Sequence, residues 1–283
     1  MLAAVGATPP RPVAKARDEP GPVLVVFFTV VVVTAGTSGV ALLVAPGATD
    51  EYFSWTLRAP AAAALIGGFY LASAAVFGWG LTVPRRQARA LLVGVLGLAV
   101  PTLVLTLVHD EVFDFGRWQA IAWLVLFVTA PISASLLLLV GPKAPATSAR
   151  VPQWCRLVLA VLAVLLGVLA VAIWADETRQ ELVAWSPVDL VRLTGTYLGA
   201  WCSFLAVLCA HGAATGRWDE VRVACVALLA AAVGAGLALL RSIGDIRHPA
   251  AALVACAVVA VLALGVYAAA TGRKPRAAGA TPR

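Results

Sequence analysis

The sequence predicts an all-α, polytopic integral membrane protein with eight transmembrane helices, arranged as two parallel four-helix repeats. Of its 283 residues, 61% are hydrophobic and 12% are charged, and the mean hydropathy is +0.93. A soluble domain carries about 25% charged residues, so this chain has too little polar surface to coat a water-soluble globule. The apolar residues also fall in long runs separated by short charged gaps, which is typical of a membrane protein with several spans.

Eight apolar runs of about 20 residues each have the length needed to cross a hydrocarbon layer. They cover 23–45, 60–82, 89–109, 119–141, 155–174, 188–211, 222–241 and 249–271. Helices are expected because a helix satisfies its own backbone hydrogen bonds in lipid. The first run is too long for the apolar region of a cleaved signal peptide, so we interpret it as a retained span.

The segments outside the spans divide the chain further. Residues 1–22 and 272–283 are rich in proline and charge without an apolar period, and we predict disordered cytoplasmic tails. Residues 142–153 are predicted to form a cytoplasmic linker between repeat one, at 23–141, and repeat two, at 154–271. The five cysteines form no CxxC pair, and we interpret them as small packing residues.

The distribution of charge predicts the orientation. The tails and alternate gaps on one side hold fifteen Lys and Arg and four acids, whereas the other side holds six Lys and Arg and ten acids. These net charges of +11 and −4 add to the +7 of the chain. Because Lys and Arg are enriched in cytoplasmic loops, both termini are predicted to be cytoplasmic. The basic charge then faces anionic headgroups of the lipid bilayer, and no nucleic-acid partner is expected.

Tryptophans at the span edges agree with this orientation. Interfacial tryptophans are expected at the outer edge (Trp55, Trp118, Trp174 and Trp185) and at the inner edge (Trp79, Trp154 and Trp218). Trp201 is the exception, since it falls near the middle of the sixth span. Asn is absent and Ala, Val, Gly and Arg are plentiful, a usage that suggests a G+C-rich bacterial source and hence the cytoplasmic cell membrane.

The repeat rests on a match between residues 60–73 and 187–200. Proline opens each copy, tyrosine follows ten positions later at Tyr70 and Tyr197, and a glycine precedes each tyrosine by two positions. Near the middle of the third helix of each repeat, Pro101 and Gly234 are both helix-weakening residues. Each unit contains four spans, an even number, so the two units are predicted to run parallel rather than inverted.

Small residues lie on one face of spans two and six, in Gly68-x-x-x-Ala72 and Gly195-x-x-x-Gly199. Such faces allow close approach of helix backbones, so these two spans are expected to cross near the pseudo-twofold axis. Plain helix packing is one interpretation of this region. The alternative is a binding cavity, with four candidate residues: Tyr70, Ser73, Thr196 and Tyr197.

Asp, Glu, Lys, Arg and His are absent from the middle of every predicted span. This argues against a proton-driven pump, which needs such groups at depth. They gather instead at the outer rim, where we identify a hypothetical polar cluster: His109, Asp110, Glu111, Arg241 and Asp245. A solvated loop is the simpler interpretation. No metal-ligand spacing or cofactor motif accompanies the cluster, and neither a metal nor a cofactor is expected.

Three functions remain open. The repeat and the weakened third helices favour a carrier or channel for a small uncharged or amphipathic solute. The absence of buried charge also suits a non-catalytic assembly or scaffold subunit with a fixed protein partner. The third hypothesis is a membrane enzyme using His109 and its acids at the outer rim, which loses its support if His109→Ala leaves the cellular phenotype unchanged. The sequence identifies neither a substrate nor a protein partner.

Overall fold

A computed structural model describes residues 20–140, 149–175, 192–246 and 248–271. Within these ranges the chain is helical without strands, and eight helices are long and apolar enough to cross a membrane. They are α1 Pro22–Val44, α2 Pro60–Gly80, α3 Arg85–Val108, α4 Trp118–Val140, α5 Gln153–Ala175, α6 Arg192–Thr215, α7 Trp218–Arg241 and α8 Pro249–Thr271. The loop after α1 contains a helical turn, Thr49–Tyr52. The predicted eight-span membrane fold is confirmed.

Helices α3 and α7 each begin four residues before the predicted span. Their first turns are charged, with Arg85 and Arg86 in α3 and Asp219 and Glu220 in α7. An apolar run stops at the first charges, whereas a helix continues into the headgroup layer, where charged side chains are solvated. The predicted tails, most of the 142–153 linker and the loop containing Trp185 lie outside the described residues.

The helix pairings follow one pattern in both halves of the chain. Helix α1 packs on α2 and α3 on α4, while α5 packs on α6 and α7 on α8. Across the halves, α2 packs on α7 and α6 packs on α3. Helices α2, α6 and α7 are the most buried, and α5 and α8 are the least. This is the pairing that a parallel duplication would produce, although the duplication itself stays a prediction.

Among the described glycines, the closest contact with the backbone of another helix is between α2 and α7. A Cβ atom added to Gly68 would lie 2.7 Å from the carbonyl carbon of Gly234, and one added to Gly234 would lie 2.9 Å from the carbonyl carbon of Gly68. Ala72 and Ala238 flank this crossing. The small-residue face of α2 is therefore a packing face, but its close backbone contact is with α7 and not with the small-residue face of α6.

The corresponding face of α6 has a different neighbour. A Cβ atom on Gly199 would lie 2.6 Å from Nε1 of Trp174, which belongs to α5. A small-xxx-small pattern identifies a helix face that permits close approach, but it carries no information about which helix meets that face. Helices α2 and α6 still contact each other, through the aromatic side chains described below.

The two ends of the bundle differ in charge. We call the end with the loops at 81–84 and 216–217 the basic end, and the end with the loops at 45–59, 109–117 and 242–248 the acidic end. At the basic end, Arg89 donates hydrogen bonds from Nη1 and Nη2 to the carbonyls of Leu137 and Leu138, at 2.9 and 2.7 Å. These last-turn carbonyls have no donor within α4, so Arg89 fixes the end of α4 against α3.

An ion pair also joins α3 to α7 at the basic end. Arg86 Nη1 lies 2.9 Å from Asp219 Oδ2, and Gln87 Nε2 donates to Asp219 Oδ1 at 3.0 Å. Nearby, the Arg222 guanidinium lies over the ring of Trp79, 5.4 Å from its centroid. The basic residues that predicted the orientation therefore also hold the central helices in position.

Candidate functional site

A cavity of about 590 Å³ lies between α1 and α4, with α2, α3 and α6 forming its inner wall. Most lining side chains are apolar or aromatic, and no Asp, Glu, Lys, Arg or His is among the described residues that line it. Ligand sites have this character: a concave, mainly apolar surface with a few placed polar groups. The absence of charge in the lining suits an uncharged ligand.

Three of the four residues predicted to bind a ligand line this cavity. They are Tyr70 and Ser73 on α2 and Tyr197 on α6. The fourth, Thr196, is engaged elsewhere, since its Oγ1 donates to the carbonyl of Leu193 at 2.9 Å and its own carbonyl accepts a bond from Trp174 of α5 at 3.0 Å. Consecutive helical residues point about 100° apart, which is why Tyr197 faces the cavity and Thr196 does not.

A tyrosine pair connects α2 to α6 at the inner wall. The Tyr197 hydroxyl donates to the Tyr70 hydroxyl at 2.9 Å, and both side chains are buried. Pro60 begins α2 and places Tyr70 about 15 Å along the helix axis, near the middle of a hydrocarbon layer of roughly 30 Å. The pair therefore lies at the depth where water is scarce and a hydrogen-bonding group is most costly to bury unpaired.

Aromatic side chains pack around this pair and continue towards the acidic end. The ring of Trp55 lies 4.9 Å from Trp123 and 5.7 Å from Tyr197, measured between centroids, and Phe53 lies 4.6 Å from Trp55. We call this the aromatic cluster: Phe53, Trp55, Phe113, Trp123, Tyr197 and Trp201. The 45–59 loop thus folds into the bundle and closes the acidic end of the cavity with its own side chains.

The aromatic cluster corrects one interfacial prediction. Trp55 is buried rather than exposed at the membrane surface, because the loop that carries it turns inward. Trp118, by contrast, is 73% exposed at the start of α4, as the interfacial prediction requires. Trp123 was missed as a site residue. The mid-span position of Trp201 was the available signal that tryptophans here also serve the interior.

Most polar groups in the cavity wall already have a hydrogen-bond partner. The hydroxyls of Thr34, Thr37 and Thr129 donate to carbonyls of their own helices at 2.7–2.8 Å. Ser73 differs: its side chain is 5% exposed, and its Oγ has no hydrogen-bond partner in the described part of the chain. Such an unpaired buried hydroxyl raises the free energy of the folded protein.

Loop groups at the acidic end of the cavity are also paired. The Tyr52 hydroxyl donates to the Ala41 carbonyl of α1 at 3.1 Å, and Gln119 Nε2 of α4 donates to the Glu51 carbonyl at 3.1 Å. Partial burial raises the pKa of Tyr52 above its ordinary value, so this phenol stays neutral at physiological pH. These bonds fix the 45–59 loop against α1 and α4.

The hypothetical outer-rim cluster is only partly assembled. His109 is 3% exposed, and its Nδ1 lies 3.7 Å from Glu111 Oε1. Asp110 and Asp245 are exposed on short 3₁₀ turns. Arg241 is directed to α1, where its Nε donates to the Leu43 carbonyl at 2.9 Å. Among the described residues, no three or more His, Cys, Asp and Glu side chains group to hold a metal ion.

The cavity and its tyrosine pair are therefore the most developed candidate site in the described helices. The cavity has the volume to hold a ligand and contains a buried, unpaired hydroxyl at Ser73. At the outer rim, by contrast, His109 is buried beside the Glu111 carboxylate, and Asp110 and Asp245 are exposed. No family model, curated protein or solved structure matches this chain.

Proposed function

We propose that this protein is a carrier that binds a small uncharged or amphipathic solute in the cavity between α1 and α4 and moves it across the bilayer. The observation that carries the proposal is the uncharged cavity of about 590 Å³ at mid-bilayer depth, with the unpaired Ser73 hydroxyl in its wall. This volume lies within the range of about 300–1,000 Å³ that is usual for ligand pockets.

Two prolines beside the cavity support the movement that a carrier needs. Pro101 lies within α3 and Pro131 within α4, and both helices contribute to the cavity wall. A proline inside a helix lacks the N–H that would bond to the carbonyl four residues earlier, which weakens the helix at that turn. Bending α4 at Pro131 would widen or narrow the gap between α1 and α4 without breaking the α3–α4 contact.

Transport by such a site is expected to be downhill and independent of membrane potential. No Asp, Glu, Lys, Arg or His lines the cavity in the described residues, so the cavity offers no charged side chain to a coupling ion or proton. We expect full-length protein in liposomes to give saturable uptake of at least one solute from a panel of uncharged polyols, neutral sugars, and short-chain and long-chain alcohols. Imposing a pH gradient or a potassium diffusion potential is expected to leave the rate unchanged.

Protein-free liposomes and liposomes that carry an unrelated eight-span protein are the controls for this uptake. Uptake that never saturates for any solute of the panel would count against the carrier. A rate that follows the proton gradient would also contradict it, because that rate would require a titratable group at the site.

We also propose that the protein lies in the cytoplasmic cell membrane with both termini and the basic end in the cytoplasm. The support is the charge difference between the ends, with Arg85, Arg86, Arg89 and Arg222 near one and Asp50, Glu51, Asp110 and Asp114 near the other. Basic residues are retained on the cytoplasmic side during insertion.

Single cysteines provide the test of this orientation, in a variant whose five native cysteines are replaced by alanine. Gly47→Cys at the acidic end and Thr82→Cys at the basic end both fall at exposed positions. An impermeant maleimide is expected to label Gly47→Cys in intact cells and Thr82→Cys only after permeabilisation. The opposite pattern would invert the orientation.

A further inference from the structure

We infer that the ligand of this cavity is a neutral amphipathic lipid that enters sideways from the bilayer, with a single hydroxyl or carbonyl head at Ser73 and an apolar chain passing between α1 and α4. The inference rests on the proposed function, since it names the chemical class that the same cavity takes. It depends on three features: where the cavity opens, which polar atoms it offers and what lines its mouth.

The cavity opens to the side, at the depth of lipid chains. Helices α1 and α4 are not among the helix pairs that pack together, and each contributes one edge of the opening. Val30 on α1 and Val125 on α4 are 47% and 55% exposed there. Each lies about 12 Å or less from the start of its helix, within the hydrocarbon layer. In the second half of the chain, α5 and α8 contact each other instead.

Two hydroxyls on α2 offer hydrogen bonds to one ligand oxygen. Ser73 and Tyr70 are three residues apart, so they lie on the same helix face, and both line the cavity. Ser73 Oγ has no partner among the described residues and almost no exposed surface, so a change of its side-chain rotamer is needed to bring it to a ligand oxygen. The Tyr70 and Tyr197 hydroxyls share one hydrogen bond at 2.9 Å, so one hydroxyl hydrogen of the pair remains for a further acceptor. A hydroxyl or carbonyl oxygen of a ligand would meet both groups.

A charged head does not suit this position. A phosphate or carboxylate at Ser73 would be desolvated among apolar and aromatic side chains, with no cation among the described lining residues to offset that cost. The hydroxyls of Thr34, Thr37 and Thr129 near the mouth bond to their own helices, so the path from the head to the bilayer is apolar in effect. This path suits an alkyl or isoprenoid chain.

Photo-cross-linking of the full-length protein in lipid nanodiscs tests the inference. The probe is a long-chain primary alcohol with a diazirine in its chain and a terminal alkyne, and its matched control is the phosphate monoester of the same alcohol. The alcohol is expected to label peptides from α1, α2 and α4, in competition with unlabelled alcohol, and several-fold more strongly than the phosphate. Ser73→Ala is expected to reduce this labelling several-fold, while Ser135→Ala, on α4 outside the cavity, is expected to retain it.

Equal labelling by the alcohol and its phosphate would overturn the inference, as would labelling spread over α5 and α8 without competition. If Ser73→Ala does not fold, Thr129→Trp at the exposed mouth is expected to give the same loss, and unchanged labelling of that variant would overturn the lateral path. Saturable flux of a water-soluble polyol without specific labelling by the alcohol would support the carrier and overturn the inference that its ligand is a lipid. Absence of both flux and labelling would contradict both the carrier and the lipid ligand.

Discussion

Gly234→Ala is expected to prevent α2 and α7 from reaching their native contact, and to destabilise the folded protein by about 1–3 kcal/mol. A Cβ atom at this position would lie 2.9 Å from the Gly68 carbonyl carbon and 3.3 Å from the Ala72 Cβ. The nearer atom belongs to the backbone, so no rotamer change relieves the contact and the two helices must separate. In lipid, helix association depends on van der Waals packing rather than on the hydrophobic effect, so separation loses most of what holds this pair.

Gly236→Ala is the matched control, since a Cβ atom on Gly236 has no neighbour within 4 Å. It lies on the same helix and changes the helix propensity in the same way, by up to about 1 kcal/mol in favour of the helix. Thermal unfolding in mild detergent, followed by size-exclusion chromatography, is expected to show a large loss for Gly234→Ala and for Gly68→Ala, and none for Gly236→Ala. Equal stability of Gly234→Ala and Gly236→Ala would mean that this crossing does not hold the bundle together.

The glycine crossing also shows which parts of the fold the sequence could predict. The number of spans follows from apolar length alone, because lipid admits few alternatives to a helix. The neighbours of each helix do not follow, because Ala, Val and Leu surround most of these helices and no polar face marks the side exposed to solvent. The Gly68–Ala72 face could be recognised, but its partner on α7 depends on tertiary packing that a local pattern does not contain.

The residues of the candidate site could likewise be predicted only in part. Tyr70 and Tyr197 can be identified because they occupy equivalent positions in the two predicted copies, and the structure joins them by a hydrogen bond. Thr196 was placed with them by adjacency in sequence, although one helical step turns it towards α5. Trp55 was interpreted as interfacial because it lies at a span edge, and sequence position does not reveal that its loop folds inward. Pro131 of α4, beside the cavity, was overlooked.

Ala122→Trp is expected to reduce solute flux about tenfold or more, which corresponds to about 1.4 kcal/mol or more in the free energy of reaching the site. Ala122 lines the cavity on α4, and it is exposed in the gap towards α1. A tryptophan there would place its indole ring in the opening, where the apolar surroundings favour burial of the ring. Because position 122 is not packed against another helix, the substitution blocks the cavity without disturbing the bundle.

Ala255→Trp on α8 is the matched control, since this alanine is also exposed on a membrane-spanning helix but lies away from the cavity. Both variants are expected to insert and to elute as the parent protein does, because each adds an aromatic ring to a lipid-facing surface. Initial rates of uptake in liposomes, at matched protein density, then isolate the effect of filling the cavity. If both variants transport at the parental rate, the solute does not pass between α1 and α4. If both lose transport equally, the added ring acts through the bilayer or through folding, and this result would contradict the cavity as the transport site.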